Sequence, residues 1–145
     1  MMQNDQFAVG KECKISMRIV GIGVDLIEID RVAGSYANPS FQKKYYTEEE
    51  QKLIRQKYAR CATAFAGKEA VVKAFGTGFA KISPKEIEIV RSETGAPLVR
   101  LFGRAEEKAK ELGICEIQIS LADDKTQAMA YVIAIGREER NERLV

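Results

Sequence analysis

A predicted helix over residues 60–75 constrains this chain more than any other segment, because two opposite charges lie within its apolar stripe. The sequence FAGKEAVVKAFGTG begins at residue 65, and the predicted helix stops at Gly76, as helices often do. At 3.6 residues per turn Glu69 and Lys73 share one face. The positions around them are apolar: Ala62, Phe65, Ala66, Ala70 and Val72. An amphipathic helix normally keeps its charges opposite such a stripe, so this placement needs a reason.

Two interpretations of Glu69 and Lys73 are open at this point. They can form an ordinary ion pair four residues apart, worth roughly 0.2–0.5 kcal/mol. Alternatively, because a half-buried charge pair loses hydration and rarely stabilises a fold, the pair has a ligand. Lys73 would then bind an anion, and Glu69 would bind a metal or take a proton.

The Gly76-Thr77-Gly78 segment also has two interpretations. It is a helix end followed by a turn, or it is a loop whose bare backbone lets phosphate groups approach closely. It is not a Walker A loop, because neither the glycine spacing nor the following Lys-Ser/Thr is present.

Two aspartates follow predicted strands. Asp25 comes directly after a β-rich run over 18–24, and it either caps a turn or offers a carboxylate where metals and ligands often bind. Gly21 and Gly23 in that run would let another backbone come near. Asp123 follows the predicted strand 115–121, and turn chemistry alone can explain it.

Composition limits the chemistry that these residues can perform. The 145 residues suggest one domain, and 23 basic against 21 acidic residues give a net charge of +2, too balanced to indicate a nucleic-acid partner. No histidine is present, which excludes Ser-His and Cys-His catalysis and imidazole metal sites. A metal site would use oxygen ligands, which favours Mg²⁺ or Mn²⁺. We expect a cytoplasmic protein with no membrane span, because no run of about 18 apolar residues occurs.

The order of predicted elements indicates an α+β domain over residues 17–145, after a loose extension over 1–16 for which we expect disorder. Helices are expected at 48–58, where a capping box begins at Thr47, at 60–75 and at 103–112. Hairpins are expected from strands at 86–90 and 98–102, and at 115–121 and 128–135. The residues alone support Mg²⁺-assisted chemistry on a phosphate ester and do not name the substrate.

Three segments together resemble the holo-[acyl-carrier-protein] synthases, a family of small bacterial phosphopantetheinyl transferases. They are GIGVDLIEIDRV, FAGKEAVVKAFGTG and ISLADDKTQAMAYVIA, and the resemblance runs from about Met17 to Ile135. It implies an antiparallel sheet packed with helices, with one half of a larger two-half transferase per chain. The implied reaction moves the 4′-phosphopantetheine of coenzyme A to a serine of an apo acyl carrier protein, releasing 3′,5′-ADP. It depends on Mg²⁺ and supports fatty acid biosynthesis.

The resemblance also implies roles for particular residues. Asp25 and Glu69 would hold Mg²⁺, Glu69 is a candidate for handling the serine proton, and Lys73 would neutralise phosphate charge. Four residues would line the coenzyme A site beside Lys73: Phe65, Gly76, Gly78 and Asp123. Arg31 would meet the acidic carrier protein, and a weaker contribution is expected from Lys43, Lys44 and Arg55.

The resemblance implies a homotrimer with its sites between subunits.

Two positions of this sequence depart from the family pattern. Asp123 stands where many members have His, so its contact with the nucleotide must differ. Ala64 stands where many members have Arg, so one phosphate or carrier contact is expected to be missing.

Two other functions are weighed against the transferase. One is a non-catalytic module that binds coenzyme A or a carrier protein, and the presence of Asp25, Glu69 and Lys73 argues against it. The other is a different Mg²⁺-dependent phosphate-ester enzyme, for which no nucleophile is evident.

Overall fold

The computed structural model describes residues 16–138, so all but the last residue of the extension predicted over 1–16 lies outside the described residues. The strands are β1 Met17–Glu28, β2 Ile87–Arg91, β3 Pro97–Leu101, β4 Ile114–Asp123 and β5 Gln127–Arg137. The helices are α1 Ile29–Tyr36, α2 Pro39–Tyr45, α3 Glu48–Gln56, α4 Arg60–Phe75 and α5 Gly103–Glu111. One antiparallel sheet has the order β1-β5-β4, and β2 and β3 form a separate hairpin. The predicted α+β class is confirmed.

Local sequence signals explain where the helices begin and end. At the start of α3 the Thr47 hydroxyl accepts from the Glu50 backbone N–H at 3.2 Å, and Glu50 Oε1 accepts from the Thr47 N–H at 2.9 Å, which completes the predicted capping box. Helix α4 ends at Gly76, whose φ of 75° lies in the left-handed region that favours glycine. Its predicted bounds are confirmed.

Helix α4 packs directly on the three-stranded sheet because small residues face it. A Cβ at Gly21 would collide with the carbonyl oxygen of Ala74, and one at Gly23 with that of Ala70. The inner face of β5 is also small, with four buried residues: Ala128, Ala130, Val132 and Ala134. The prediction that the two β1 glycines admit a neighbouring backbone is therefore confirmed, and this close approach fixes α4 over β1.

Two predictions about these elements are wrong. Strand β1 does not end at residue 24, because β5 pairs with it as far as the Glu28–Gln127 register, so Asp25 lies inside the strand. Helix α4 is not amphipathic, because it is buried on nearly every side, and Lys68 is 1% exposed. No helix within residues 16–138 is long and apolar enough to cross a membrane.

The outer face of the same sheet is apolar and exposed. The exposed residues are Ile19, Ile22, Val24 and Leu26 on β1 and Met129 and Tyr131 on β5. The register places Val24 opposite Tyr131 and Leu26 opposite Met129, so these side chains form one continuous patch. We call these six residues the outer apolar face.

Candidate functional site

The packing of α4 on β1 brings Lys73 to Asp25. Asp25 projects from the same side of β1 as Gly21 and Gly23, the side that faces α4. Lys73 Nζ donates to Asp25 Oδ1 at 3.0 Å and to the Val24 carbonyl oxygen at 2.9 Å. The alternative of a Glu69–Lys73 ion pair is wrong, since no salt bridge joins those two side chains in the described structure. Lys73 is instead held by the strand.

The Asp25 carboxylate is only half satisfied. Its side chain is 14% exposed, and Oδ2 is buried without a hydrogen-bond partner in the described part of the chain. A buried carboxylate oxygen without a partner is costly. This oxygen is therefore suited to a ligand that donates to it or carries positive charge.

Glu69 adds a second carboxylate near the first. Burial raises the pKa of Glu69, and the negative charge of Asp25 raises it further, while Lys73 lowers it. Like charges within reach of one another disfavour ionisation of both. A cation between them would relieve that repulsion, so the electrostatics of this pair favour a bound cation.

Asp25 and Glu69 line one cavity of about 430 Å³. Phe65 from α4 and Arg31 from α1 line the same cavity, as does Phe41 from α2. Four predicted site residues thus share one space, with Lys73 bonded to Asp25 beside it. We call this space the Asp25 cavity.

The donor set of the Asp25 cavity fits Mg²⁺ on a phosphate substrate. No group of three or more acidic, Cys or His side chains within residues 16–138 is placed to hold a metal by itself. Magnesium at phosphate sites is commonly held by one or two carboxylates together with substrate oxygens. Asp25 and Glu69 supply two carboxylates, and the unpaired Oδ2 of Asp25 is an available ligand atom.

A second lysine–carboxylate pair, between Lys68 of α4 and Glu50 of α3, was not predicted from the sequence. Lys68 Nζ donates to Glu50 Oε1 at 2.7 Å and also to the carbonyl oxygens of Pro84 and Ile87. Glu50 Oε2 accepts from the Ile89 N–H at 2.9 Å. Burial raises the pKa of Glu50 and lowers that of Lys68, while their mutual attraction opposes both shifts. This pair joins α3, α4 and β2, and its only signal in the sequence was the unexplained Lys before Glu69.

The other predicted coenzyme A residues lie outside the Asp25 cavity of one chain. Gly76 and Gly78 both have positive φ, of 75° and 60°, and this backbone requirement alone accounts for them. Thr77 between them lines a different cavity of about 540 Å³ beside α5. Asp123 lines a third cavity at the beginning of α4. None of these three residues lines the Asp25 cavity of a single chain, and their predicted roles remain predictions.

Comparison with known families identifies this arrangement. Residues 21–135 match the family described as the 4′-phosphopantetheinyl transferase superfamily. The holo-[acyl-carrier-protein] synthase of Lachnoclostridium phytofermentans is 49% identical over 115 residues, which covers 79% of this chain and 94% of that protein.

Solved structures agree with the sequence match. The holo-ACP synthase of Plasmodium yoelii superposes with a TM-score of 0.75 at 31% identity, covering 85% of this chain and 99% of that one. The Helicobacter pylori holo-[acyl-carrier-protein] synthase, solved in complex with coenzyme A, gives a TM-score of 0.71 at 30% identity. It covers 78% of this chain and 98% of the other. The predicted family and fold are confirmed.

Proposed function

This chain belongs to the 4′-phosphopantetheinyl transferase superfamily and is a phosphopantetheinyl transferase; from that premise we propose that it modifies an acyl carrier protein. The reaction transfers 4′-phosphopantetheine from coenzyme A to a serine of the apo carrier. It would supply holo carrier for fatty acid biosynthesis in the cytoplasm. The observation that carries the proposal is the Asp25 cavity, which holds two carboxylates with Lys73 beside them.

Asp25 and Glu69 are the residues that would hold Mg²⁺ in this cavity. When bound there, the ion would supply positive charge to the pyrophosphate of coenzyme A. The partnerless Oδ2 of Asp25 and the raised pKa of Glu69, caused by burial and by Asp25, both support this assignment.

In the transfer the carrier serine oxygen attacks the phosphorus that bears the pantetheine arm, and the bond to the leaving 3′,5′-ADP breaks. Lys73 is held by Asp25 and by the Val24 carbonyl oxygen, and it would place its positive charge against the phosphate oxygens. Glu69 is half-buried at the cavity wall and would take the serine proton. Phe65 would pack against the substrate from the same wall.

Three further residues would contact coenzyme A from outside the Asp25 cavity. Gly76 and Gly78 would let it approach the backbone, since nothing lies within 4 Å of the Cβ position of either glycine. Asp123 would contact the nucleotide part.

Arg31 is the proposed contact for the carrier protein. It is exposed and lines the Asp25 cavity from α1, so a negatively charged carrier bound to it would present its serine there. Lys43, Lys44 and Arg55 would extend the same positive surface.

We propose a homotrimer with sites between subunits. The outer apolar face supports association, because six exposed apolar side chains on one sheet are suited to contact with another copy. Gly76, Gly78 and Asp123 do not line the Asp25 cavity of one chain, which also favours a site completed by a neighbour. Native mass spectrometry should give three chains, and Ile22→Lys should abolish the trimer, whereas Leu98→Lys, at an exposed position on β3, should not. A monomeric wild type would contradict the proposal.

The transfer is tested by intact mass spectrometry of an apo acyl carrier protein incubated with this protein, coenzyme A and Mg²⁺. The expected gain is about 340 Da, the mass of the phosphopantetheine arm of this group carrier. It should require Mg²⁺ and disappear with Glu69→Gln. If no carrier gains mass while coenzyme A still binds, the alternative of a non-catalytic binding module is supported instead.

A further inference from the structure

A small apolar cavity lies between the β2–β3 hairpin and the three-stranded sheet. It measures about 230 Å³, below the roughly 300–1,000 Å³ of most small-molecule sites, so its size suits side chains better than a cofactor. Its apolar wall comes from β3, α5 and β4 and consists of five residues: Val99, Leu101, Ala109, Ile114 and Ile117. It shares no residue with the Asp25 cavity or with the outer apolar face. We call it the β3–β4 cavity.

Two free strand edges border this cavity. Strand β4 pairs on one side with β5, and β3 pairs on one side with β2. The two strands β3 and β4 contact one another, but no ladder of hydrogen bonds joins them within residues 16–138. A free edge presents N–H and C=O groups with which an extended peptide can pair, and an apolar cavity beside it accepts alternate side chains of that peptide. The β3–β4 cavity is therefore suited to an extended apolar segment.

The N-terminal extension joins the fold close to this cavity. It is followed by β1, whose first residue Met17 pairs with Arg137 of β5. The preceding residue of β5, Gly136, pairs with Ile114 of the cavity wall. The end of the extension therefore lies about two strand spacings, or roughly 10 Å, from the cavity. Because an extended chain spans about 3.3 Å per residue, residues 7–9 are within reach of the cavity.

The extension contains an apolar run suited to this cavity. Its sequence MMQNDQFAVGKECKIS places Phe7, Ala8 and Val9 between the polar segments QNDQ and GKEC. In an extended chain Phe7 and Val9 project to one side and Ala8 to the other. This alternation gives the run one bulky apolar side that can enter the cavity.

The charges on the cavity rim agree with this occupant. Glu106 and Lys110 already pair with one another at 3.3 Å. Glu116 accepts a hydrogen bond from the neutral side chain of Gln118 and has no cationic partner in the part of the chain that the structure describes. Lys11 of the extension follows the apolar run and projects to the same side as its bulky residues when the chain is extended. It can therefore supply the cation that Glu116 lacks.

We propose that residues 7–11 bind in the β3–β4 cavity of their own chain as an extended segment. Phe7 and Val9 then contact the apolar wall, and Lys11 lies against Glu116. The bound segment covers both free strand edges, which are otherwise open to pairing with another chain. On this proposal, the disorder expected for the extension is confined to the residues before Phe7.

Two cysteines report which chain supplies the segment. Cys115 is exposed and lines the cavity, and Cys13 follows shortly after residues 7–11. A short bismaleimide reagent should link Cys13 to Cys115 within one chain, as shown by the mass of the denatured product and of its peptides. Cys61 is fully buried and should stay unmodified. Products that link two chains would mean that a second copy supplies the segment and would overturn the proposal.

Binding of the segment is tested by amide hydrogen exchange in the full chain. Phe7→Asp places a charge against the apolar wall and should release the segment, whereas Ala8→Asp, on the opposite side, is the matched control. Leu144→Asp tests the other terminus, whose Leu144 and Val145 are an alternative occupant. All three substitutions lie outside residues 16–138, so the described core keeps its sequence.

In wild type, Ala8→Asp and Leu144→Asp, the amides of residues 114–117 should exchange at least about tenfold more slowly than in Phe7→Asp, as expected where a bound segment protects a strand edge. If all four proteins exchange alike, the segment does not bind there and the proposal is overturned. Faster exchange in Leu144→Asp alone would make the C-terminal tail the occupant and would also overturn it. Neither coenzyme A nor a carrier protein is present, so the result is independent of the proposed function.

Discussion

Two lysines on α4 are each paired with a carboxylate, yet they have opposite surroundings. Lys68 and Glu50 are 1% and 0% exposed, and their bonds to the Pro84, Ile87 and Ile89 backbone satisfy both charges. Lys73 is 51% exposed, and its partner Asp25 keeps one buried oxygen without a donor. The first pair is complete within the chain, whereas the second is not.

The difference indicates what each pair is for. A buried pair with every hydrogen bond made is costly to break, because either partner alone becomes an uncompensated buried charge. A pair that opens onto a cavity and leaves a carboxylate oxygen unbonded contributes little to stability and is available to a ligand. The same helix thus carries a structural pair and, five residues later, a candidate functional one.

The largest expected effect is on stability, when the complete pair is broken. Lys68→Met leaves the Glu50 charge buried without its partner and should lower the free energy of unfolding by about 3–5 kcal/mol. Urea denaturation measures this change. The double variant Lys68→Met with Glu50→Leu should recover much of the loss, since no isolated charge then remains. If the single variant has the same free energy of unfolding as wild type, the Lys68–Glu50 pair does not have the structural role that we assign to it.

Breaking the incomplete pair should instead affect activity. Asp25→Asn removes a charge that the proposed mechanism needs, so the transfer rate should fall by roughly 10²–10³-fold, as when a charge-stabilising group is removed from an active site. Its free energy of unfolding should change by no more than about 1 kcal/mol. The matched assay is Mg²⁺-induced thermal stabilisation, expected for wild type and absent from this variant. Equal stabilisation of both proteins would place the metal elsewhere.

The close packing of α4 on β1 can be tested separately from the two lysine–carboxylate pairs. Gly23→Ala places a methyl group against the Ala70 carbonyl oxygen and should cost about 1–3 kcal/mol through overpacking. Gly34→Ala is its control, because nothing lies within 4 Å of that Cβ position in α1. The control should be neutral or slightly stabilising. Thermal unfolding distinguishes them, and equal melting temperatures would mean that the two elements are not in close contact.

The smallest expected effect is on stability when Lys73 is replaced. Because this side chain is half exposed, Lys73→Met should change the free energy of unfolding by less than about 1 kcal/mol. Urea denaturation of Lys73→Met and Lys68→Met under the same conditions compares the contributions of the two lysines to the free energy of unfolding. If Lys73→Met lowers the free energy of unfolding as much as Lys68→Met does, the two lysine–carboxylate pairs do not differ in their contribution to stability.

Local signals in the sequence were sufficient to predict many of the helices and strands. The capping box at Thr47, the glycine at 76 and the alternation in β2 each depend on neighbours in the chain, and the elements they predict are present. Lys68 could not be interpreted in this way, because its partner Glu50 is 18 residues away and meets it only after α3 packs on α4. The partner of Lys73 was missed for the same reason, since Asp25 is 48 residues away.

The site was predicted more from resemblance than from spacing. Periodicity placed Glu69 and Lys73 on one face and left an ion pair between them as one of two interpretations. That interpretation is wrong, because periodicity cannot report which strand lies across from a helix. The close approach of α4 to β1, which Gly21 and Gly23 permit, determines that Asp25 is the partner.

The most direct test of the account compares the two lysines in one assay. The rate of phosphopantetheine transfer per folded molecule is measured for Lys73→Met and for the double variant Lys68→Met with Glu50→Leu. We expect Lys73→Met to stay folded and to be at least about 100-fold slower, while the folded double variant keeps the wild-type rate. A Lys73→Met protein that transfers at the wild-type rate, or a folded double variant that is equally impaired, would contradict it.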